Sequence, residues 1–386
     1  MPPVAGENAQ TILLRPYLAG QLSCDRELAV AMESPDSRKH TMKHKVILDT
    51  DPGIDDAMAI AYAIAHPDIE LLALTTIFGN VRTHEATLNA LALLEHWDSD
   101  ADVAEGEDAP ISMPANEPSY LVHGRNGLGG VDMPASSRSK HALGAVDYII
   151  EATKRHPGEI VLCAVGPLTN LARLLERDPE VADRLKAVVV MGGAVHRQGN
   201  VTPVAEANFW NDPHAADAVL GATWPLVLAP LDCTMPVLFT PDFMQALADE
   251  NPKLGRPLAA MAKFYSRFYR SHQGLGGCVP HDVMALSWLT VPGAFRLQKG
   301  ALGVVTDGPA IGQTLFQPGG TQSRARCFDG RADHLVMVDT DPQMFMADYM
   351  MTMTRHAALG STPPGSNPNH VKGASACNRM QQVEPL

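Results

Sequence analysis

Short apolar runs alternate with stretches of helical spacing along most of the chain. Val46–Leu48 is an apolar run entered from the polar K-H-K, and Asp55–Ala65 follows with Ala57, Ile60, Ala61 and Ile64 on one side. Leu71–Thr76 is a second run and His84–His96 a second helix. Ile160–Ala164 and Ala187–Met191 predict two more strands, with Leu168–Leu175 helical between them. Trp224–Leu228 predicts another strand, before a helix over Pro241–Asp249. Apolar strands that alternate with helices predict a mainly parallel sheet covered on both faces. The expected fold class is therefore α/β: one large domain, a Rossmann-like open sheet flanked by helices, with no internal repeat. Ligands of such sheets sit beyond the carboxyl ends of the strands, so the loops that follow strands are where chemistry is sought. Long inserts fall at 104–135, 196–212 and 271–283.

The pattern becomes regular only at Met42. Residues 1–41 read as a poorly ordered N-terminal extension, 42–358 as the catalytic domain, and 359–386, rich in Pro, Ser, Asn and Gly, as a disordered tail. Among the 386 residues 45% are hydrophobic, enough for a sizeable core, and the formal net charge of −13 argues against a nucleic-acid partner. The six cysteines, Cys24, Cys163, Cys233, Cys278, Cys327 and Cys377, form no C-x-x-C pair, which leaves zinc-ribbon and thioredoxin-like readings without support. Reduced thiols, the lack of a membrane-length apolar run and the lack of a signal-peptide core predict a cytoplasmic protein without a membrane partner.

The richest chemistry lies in D-T-D-P-G-I-D-D-A, Asp49 to Ala57, where four carboxylates fall in eight residues at a strand-to-helix junction. Asp49 and Asp51 are two apart and leave the strand on one side. Pro52-Gly53 makes a tight turn, and Asp55 and Asp56 open the helix where its dipole favours negative charge. Carboxylates packed this closely repel one another unless a cation sits among them, and oxygen ligands on a flexible turn suit Ca²⁺ or Mg²⁺ rather than zinc.

This D-x-D-P-G-x-D-D run resembles the signature of the inosine–uridine type nucleoside hydrolases. The resemblance continues in order from about Lys43 to about Arg355. It implies a calcium-dependent enzyme that cuts the N-glycosidic bond of ribonucleosides, assembled as a homodimer or homotetramer and serving nucleoside salvage or catabolism. By that resemblance Ca²⁺ is held by Asp51, Asp56, Asp282 and the carbonyl of Val165, in C-A-V-G-P-L-T-N. Asp51 acts as the base on a metal-bound water, Asp55 holds the ribose 2′-hydroxyl, and Asp49 supports the ligands from behind. Asn80, at the end of T-T-I-F-G-N, approaches the ribose and metal region, and Met191 lies beside the sugar. Asn200, Glu206 and Asn208 hold ribose hydroxyls, a task that suits paired amide and carboxylate groups. Where the family commonly has an aromatic between the glutamate and the second asparagine, this chain has Ala207. His281 matches the histidine that protonates a purine leaving group, an imidazole being suited by its near-neutral pKa. His123 lies in the glycine-rich H-G-R-N-G-L-G-G, which resembles the family loop that closes over the base, and Tyr265 and Tyr269, spaced i, i+4, match aromatic positions near the leaving base; His281 together with both tyrosines favours a broad inosine–uridine preference.

Two other classes compete. A haloacid dehalogenase-like phosphatase also begins with a strand and D-x-D, but no Lys-plus-acid set follows here. A non-catalytic nucleoside-binding protein would keep Asn200, Glu206 and Asn208 yet has no need of all four leading aspartates.

Overall fold

The strands are β1 (His44–Thr50), β2 (Ile69–Thr76), β3 (Asp102–Glu105), β4 (Ile160–Ala164), β5 (Ala187–Met191), β6 (Leu226–Ala229), β7 (Phe295–Val304), β8 (Thr314–Pro318) and β9 (Asp333–Thr340). They form one sheet in the order β3-β2-β1-β4-β5-β6-β9-β7-β8. From β3 to β9 every pairing is parallel; β7 runs antiparallel to both β9 and β8. These are features of a computed structural model, which describes residues 43–321 and 323–360. The expectations for residues 1–41 and for the tail beyond Gly360 lie outside the described residues.

Alternating side chains decide the layers. In β1, Val46 and Leu48 enter one core cluster while Ile47 enters the other, and in β5 Val189 and Val188 divide in the same way. The first face is covered by α1 (Ile54–Ala65) and α2 (Thr83–His96), and the second by α3 (Ala145–Arg155) and α4 (Thr169–Arg177). After β5, α5 (Ala207–Asn211) leads into α6 (Pro213–Gly221) on the second face. The first face is completed by α7 (Pro241–Glu250), α8 (Pro252–Gln273), α9 (His281–Ser287) and α10 (Pro342–Gly360).

The expected α/β class and parallel sheet are present, with differences of detail. Helix α1 is not one-sided: every residue except Ile64 is buried, because α8, α9 and α10 pack over its outer side. Trp224 precedes β6 rather than starting it; its indole N–H donates to the Val219 carbonyl at 3.1 Å and closes the end of α6. Strand β7 carries glycines and charges, and β9 charges, that hide their period, and α8 begins N-P-K-L-G-R-P, which reads as a helix breaker. There Asn251 caps the helix, its Oδ1 accepting from Leu254 N at 3.3 Å, so the breaker residues fall in the first turns.

Strand order positions the site. From β1 the chain goes outward to β2 and β3, then returns to β4 on the other side of β1 and continues to β5 and β6. The order 3-2-1-4-5-6 reverses between β1 and β4, and the crevice at that switch point is where open parallel sheets bind ligands. Asp49 pairs with Ala164 there, and Val165 N donates to the Asp49 carbonyl at 2.8 Å.

Candidate active site

Where β1 ends, strand alternation sends consecutive side chains to opposite faces. Asp49 faces the α4 side, accepting from Thr75 Oγ1 at 2.5 Å and Asn170 Nδ2 at 2.8 Å. Thr50 faces the α1 side, and its hydroxyl donates to Asp56 Oδ1 at 2.6 Å. The turn then folds back on Asp56, whose carboxylate also accepts from Asp51 N at 3.2 Å, Gly53 N at 2.9 Å and Asn80 Nδ2 at 2.9 Å. Asp56 is thus held by four donors.

Its neighbours are not. Asp51 accepts from Asn80 N at 2.6 Å through Oδ2, while its Oδ1 is buried without a hydrogen-bond partner. Asp55 accepts from the Tyr265 hydroxyl at 3.3 Å, and its Oδ1 is likewise unpartnered. Asp282, in the first turn of α9, brings a fourth buried carboxylate from the far end of the chain. Carboxylate oxygens of Asp55, Asp56 and Asp282 lie within 4.8 Å of one another. Burial first, and then mutual repulsion, pushes Asp51, Asp55 and Asp282 well above the ordinary carboxylate range. The backbone is shaped around Asp51: a Cβ on Gly79, at φ +152°, would stand 2.1 Å from Asp51 Oδ2, so only glycine fits.

Buried, like-charged oxygens with unused lone pairs are the donor set of a hard divalent cation, and these residues fit one. The clustered trio contains Asp55, for which the sequence predicts a sugar contact. Asp51, predicted as a ligand, is not one of the trio and keeps a free oxygen. The Val165 carbonyl already accepts from Asn208 Nδ2 at 2.8 Å, leaving it one lone pair.

Glu206 and Asn208 join the ends of β4 and β5. Glu206 caps α5, accepting from Asn208 N at 2.9 Å and Phe209 N at 3.3 Å, and also accepts from Gly193 N at 2.8 Å. Burial pushes its carboxyl up to about 7. Asn208 Nδ2 also reaches the Met191 carbonyl at 3.1 Å, which brings Met191 into the same group. Asn200 is not buried with them: it is exposed, and its Oδ1 accepts from Ala207 N at 3.0 Å at the rim.

The remaining predicted residues form a connected chain on the other side of Asp55. Tyr265 OH meets Tyr269 OH at 3.3 Å, Tyr269 OH meets His281 Nε2 at 2.7 Å, and His281 Nδ1 meets Thr234 Oγ1 at 2.7 Å. His123 stacks obliquely on Tyr265 with ring centroids 5.2 Å apart, and its Nδ1 lies 3.8 Å from Asp55 Oδ1. That Nδ1 accepts the Ile54 N–H at 3.1 Å, which places the imidazole proton on Nε2. Burial lowers both histidines to about 3, so both rings are neutral near pH 7.

Sequence reasoning missed three residues that hold site side chains, Thr50, Thr234 and Asn170, and a loop anchor beyond them, Asp232. Thr50 and Thr234 hydrogen-bond Asp56 and His281, Asn170 ties Asp49 to the Thr76 carbonyl at 3.1 Å, and Asp232 accepts from Val195 N at 2.9 Å and His196 N at 2.7 Å. A polar residue closing an apolar run was the available signal for Thr50; Thr234 and Asp232 lie in a short polar link after β6 that has no pattern of its own.

Residues 46–347 match the family model described as inosine-uridine preferring nucleoside hydrolase. Uridine nucleosidase 1 of Arabidopsis thaliana is 39% identical over 279 residues, spanning 72% of this chain and 83% of that protein. A non-specific ribonucleoside hydrolase of Escherichia coli is 37% identical over 306 residues, spanning 79% of this chain and 96% of its own. Among solved structures, the plant nucleoside hydrolase PpNRh1 superposes with a TM-score of 0.78 at 35% identity, over 81% of this chain and 99% of that one. A purine-preferring ribonucleoside hydrolase from Gardnerella vaginalis gives 0.76 at 33% identity, over 82% and 99%.

Proposed function

Because the chain belongs to the inosine-uridine preferring nucleoside hydrolase family, we propose that it is a calcium-dependent hydrolase of ribonucleosides with a broad inosine and uridine range. Hydrolysis of the N-ribosyl bond passes through an oxocarbenium-like sugar, so three tasks arise: water attack opposite the base, tolerance of positive charge on the ribose, and relief of negative charge on the departing base. The carrying observation is that Asp282 brings its oxygens to Asp55 and Asp56 at the β1/β4 switch point.

The calcium site is formed by Asp51, Asp56, Asp282 and the Val165 carbonyl. When bound, the cation supplies positive charge that polarises the sugar diol and lowers the pKa of the attacking water. Asp51 accepts the proton of that water; its Oδ1 is unpartnered and its basicity is raised by burial and by Asp56. Asp55 takes the 2′-hydroxyl, and Asn80, Glu206 and Asn208 hold the ribose, with Asn200 closing from the rim and Met191 against the sugar. Asp49 fixes the strand end behind the ligands through Thr75 and Asn170. At the base end His123 offers a neutral Nε2–H donor, and His281, neutral as well, assists the leaving base through its hydrogen bond to Tyr269 and the Tyr269–Tyr265 contact. Catalysis is assigned to residues 42–358, in a cytoplasmic homodimer or homotetramer serving nucleoside salvage; no helix of the described residues is long and apolar enough to cross a membrane.

A panel of inosine, uridine, adenosine and cytidine, each assayed with EDTA and with calcium added back, tests this reading. Free base and ribose should appear in equal amounts, stop with EDTA and return with calcium. Turnover that persists after chelation would remove the cation from the mechanism, and tight binding of nucleosides without base release would leave only a binding protein.

A further inference from the structure

Between the aspartate turn and the glycine-rich loop stands one side chain that neither the sequence motifs nor the chemistry above employs. Asn89, half-buried on α2, donates both hydrogens of its amide to backbone carbonyls: to Pro52 O at 3.1 Å and to Asn126 O at 2.9 Å. Pro52 lies in the turn between Asp51 and Asp55, and Asn126 lies three residues beyond His123. An Asn amide has two donors, so this one is fully engaged by the two loops together. The loop seats closely on this bridge: a Cβ on Gly127, at φ +77°, would stand 2.9 Å from both Asn89 Nδ2 and the Pro52 carbonyl. Asn126 then tightens its own loop, its Oδ1 accepting from Leu128 N at 3.1 Å and Gly130 N at 3.0 Å. A second tie, Ile54 N to His123 Nδ1 at 3.1 Å, runs beside it from the same turn to the same loop.

We propose that Asn89 is a positioning residue for N-ribosyl hydrolysis: it fixes the His123 loop to the Asp51–Asp55 turn and so sets where the base-end donor stands relative to the sugar end. The proposal rests on the reading that His123 serves the leaving base. Its prediction concerns the leaving group, because a misplaced donor harms only substrates that need one. Small misplacement of a positioned group costs of the order of tenfold to a hundredfold.

The test compares Asn89→Ala, Asn89→Asp, Gly127→Ala and His123→Ala on uridine and on p-nitrophenyl riboside, whose phenolate leaves without a proton. Asn89→Ala should lose about tenfold or more in kcat/KM on uridine and less than about threefold on the nitrophenyl riboside. Asn89→Asp keeps the shape but sets an oxygen against two carbonyls and should do the same. Gly127→Ala acts from the loop side and keeps the test open if the Asn89 variants fold poorly. Combining Asn89→Ala with His123→Ala should add little to the uridine loss of His123→Ala alone, since the bridge acts through that ring. Equal losses on both substrates, or an additive double variant, would overturn the proposal and leave Asn89 a general prop of the fold. If His123→Ala itself lowers both substrates alike, the base-end reading falls and takes this proposal with it; if His123→Ala is selective and Asn89→Ala is not, only the proposal falls.

Discussion

At one end of the site, Asp51, Asp55, Asp56 and Asp282 crowd four buried carboxylates together, and two of them keep an oxygen with no hydrogen-bond partner. At the other end, Thr234, His281, Tyr269 and Tyr265 form a chain in which both nitrogens of His281 are engaged and no group carries charge near neutral pH. The two ends meet at Asp55, which accepts from Tyr265. The contrast separates two uses of burial. Burial of unpaired charge stores repulsion that a cation would relieve, so this end, the proposed sugar end, is incomplete by itself. Burial of neutral, mutually bonded groups fixes orientation and tautomer, so the other end, the proposed base end, is complete before any ligand arrives.

The largest expected effect breaks the sugar end alone. Asp51→Ala should reduce turnover on every nucleoside by at least about a hundredfold, the lower range for loss of a general base. Ribose release at saturating substrate measures it, and near-wild-type turnover would exclude Asp51 as the proton acceptor. Next comes the response to calcium. At a free concentration about a hundredfold above Kd, the wild type should gain about 2.7 kcal/mol of unfolding stability. Asp282→Ala should lose most of that gain, whereas Tyr269→Phe should keep it. Thermal melts with EDTA and with calcium decide this, and an equal gain in all three proteins would place the cation elsewhere.

His281→Ala addresses the base end and should be smaller and selective. Inosine turnover should fall about tenfold further than uridine turnover, below the roughly hundredfold or more that a full general acid is worth. Parallel losses on the two bases would count against His281 as a group that assists the leaving base.

What the sequence disclosed follows the same division. The aspartate turn was legible because its chemistry is local: eight residues carry a strand end, a Pro-Gly turn and a helix start, each with its own signal. The parallel sheet up to β6 was legible for the same reason, since apolar runs and helical spacing are short-range. The base end joins His123, Tyr265, His281 and Thr234 from four separate segments, and no local pattern pairs an imidazole with a threonine forty-seven residues away. Family resemblance supplied the first three; only coordinates supply Thr234. Strand β7 was hidden because Lys299, Gly300 and Gly303 interrupt its alternation. Ile64 shows the limit in the other direction, for a clean amphipathic pattern hid how completely the rest of α1 is covered.

The smallest expected effect concerns protons in the cation-free protein, where the two ends pull in opposite directions. His123 and His281 have folded values of about 3. In the unfolded chain they titrate near 6.5, so between those values the unfolded state binds more protons. Their contribution to stability is present above about pH 6.5 and is lost as the pH falls toward the folded value. Glu206 and Asp49 have folded values of about 7, above the unfolded carboxylate range. There the native state binds more protons, so the contribution is full below about pH 4 and is lost as the pH rises through 7. Lowering the pH from 7 to 5 thus weakens the base end and strengthens the sugar end. In melts over that range, His281→Gln should shrink the acid-side fall in melting temperature by a few degrees relative to the wild type, and Glu206→Gln should enlarge it. Shifts of the same sign in both variants would mean that the two ends are not the separate electrostatic environments their geometry describes, and that Asp55 couples them through Tyr265 strongly enough to titrate as one group.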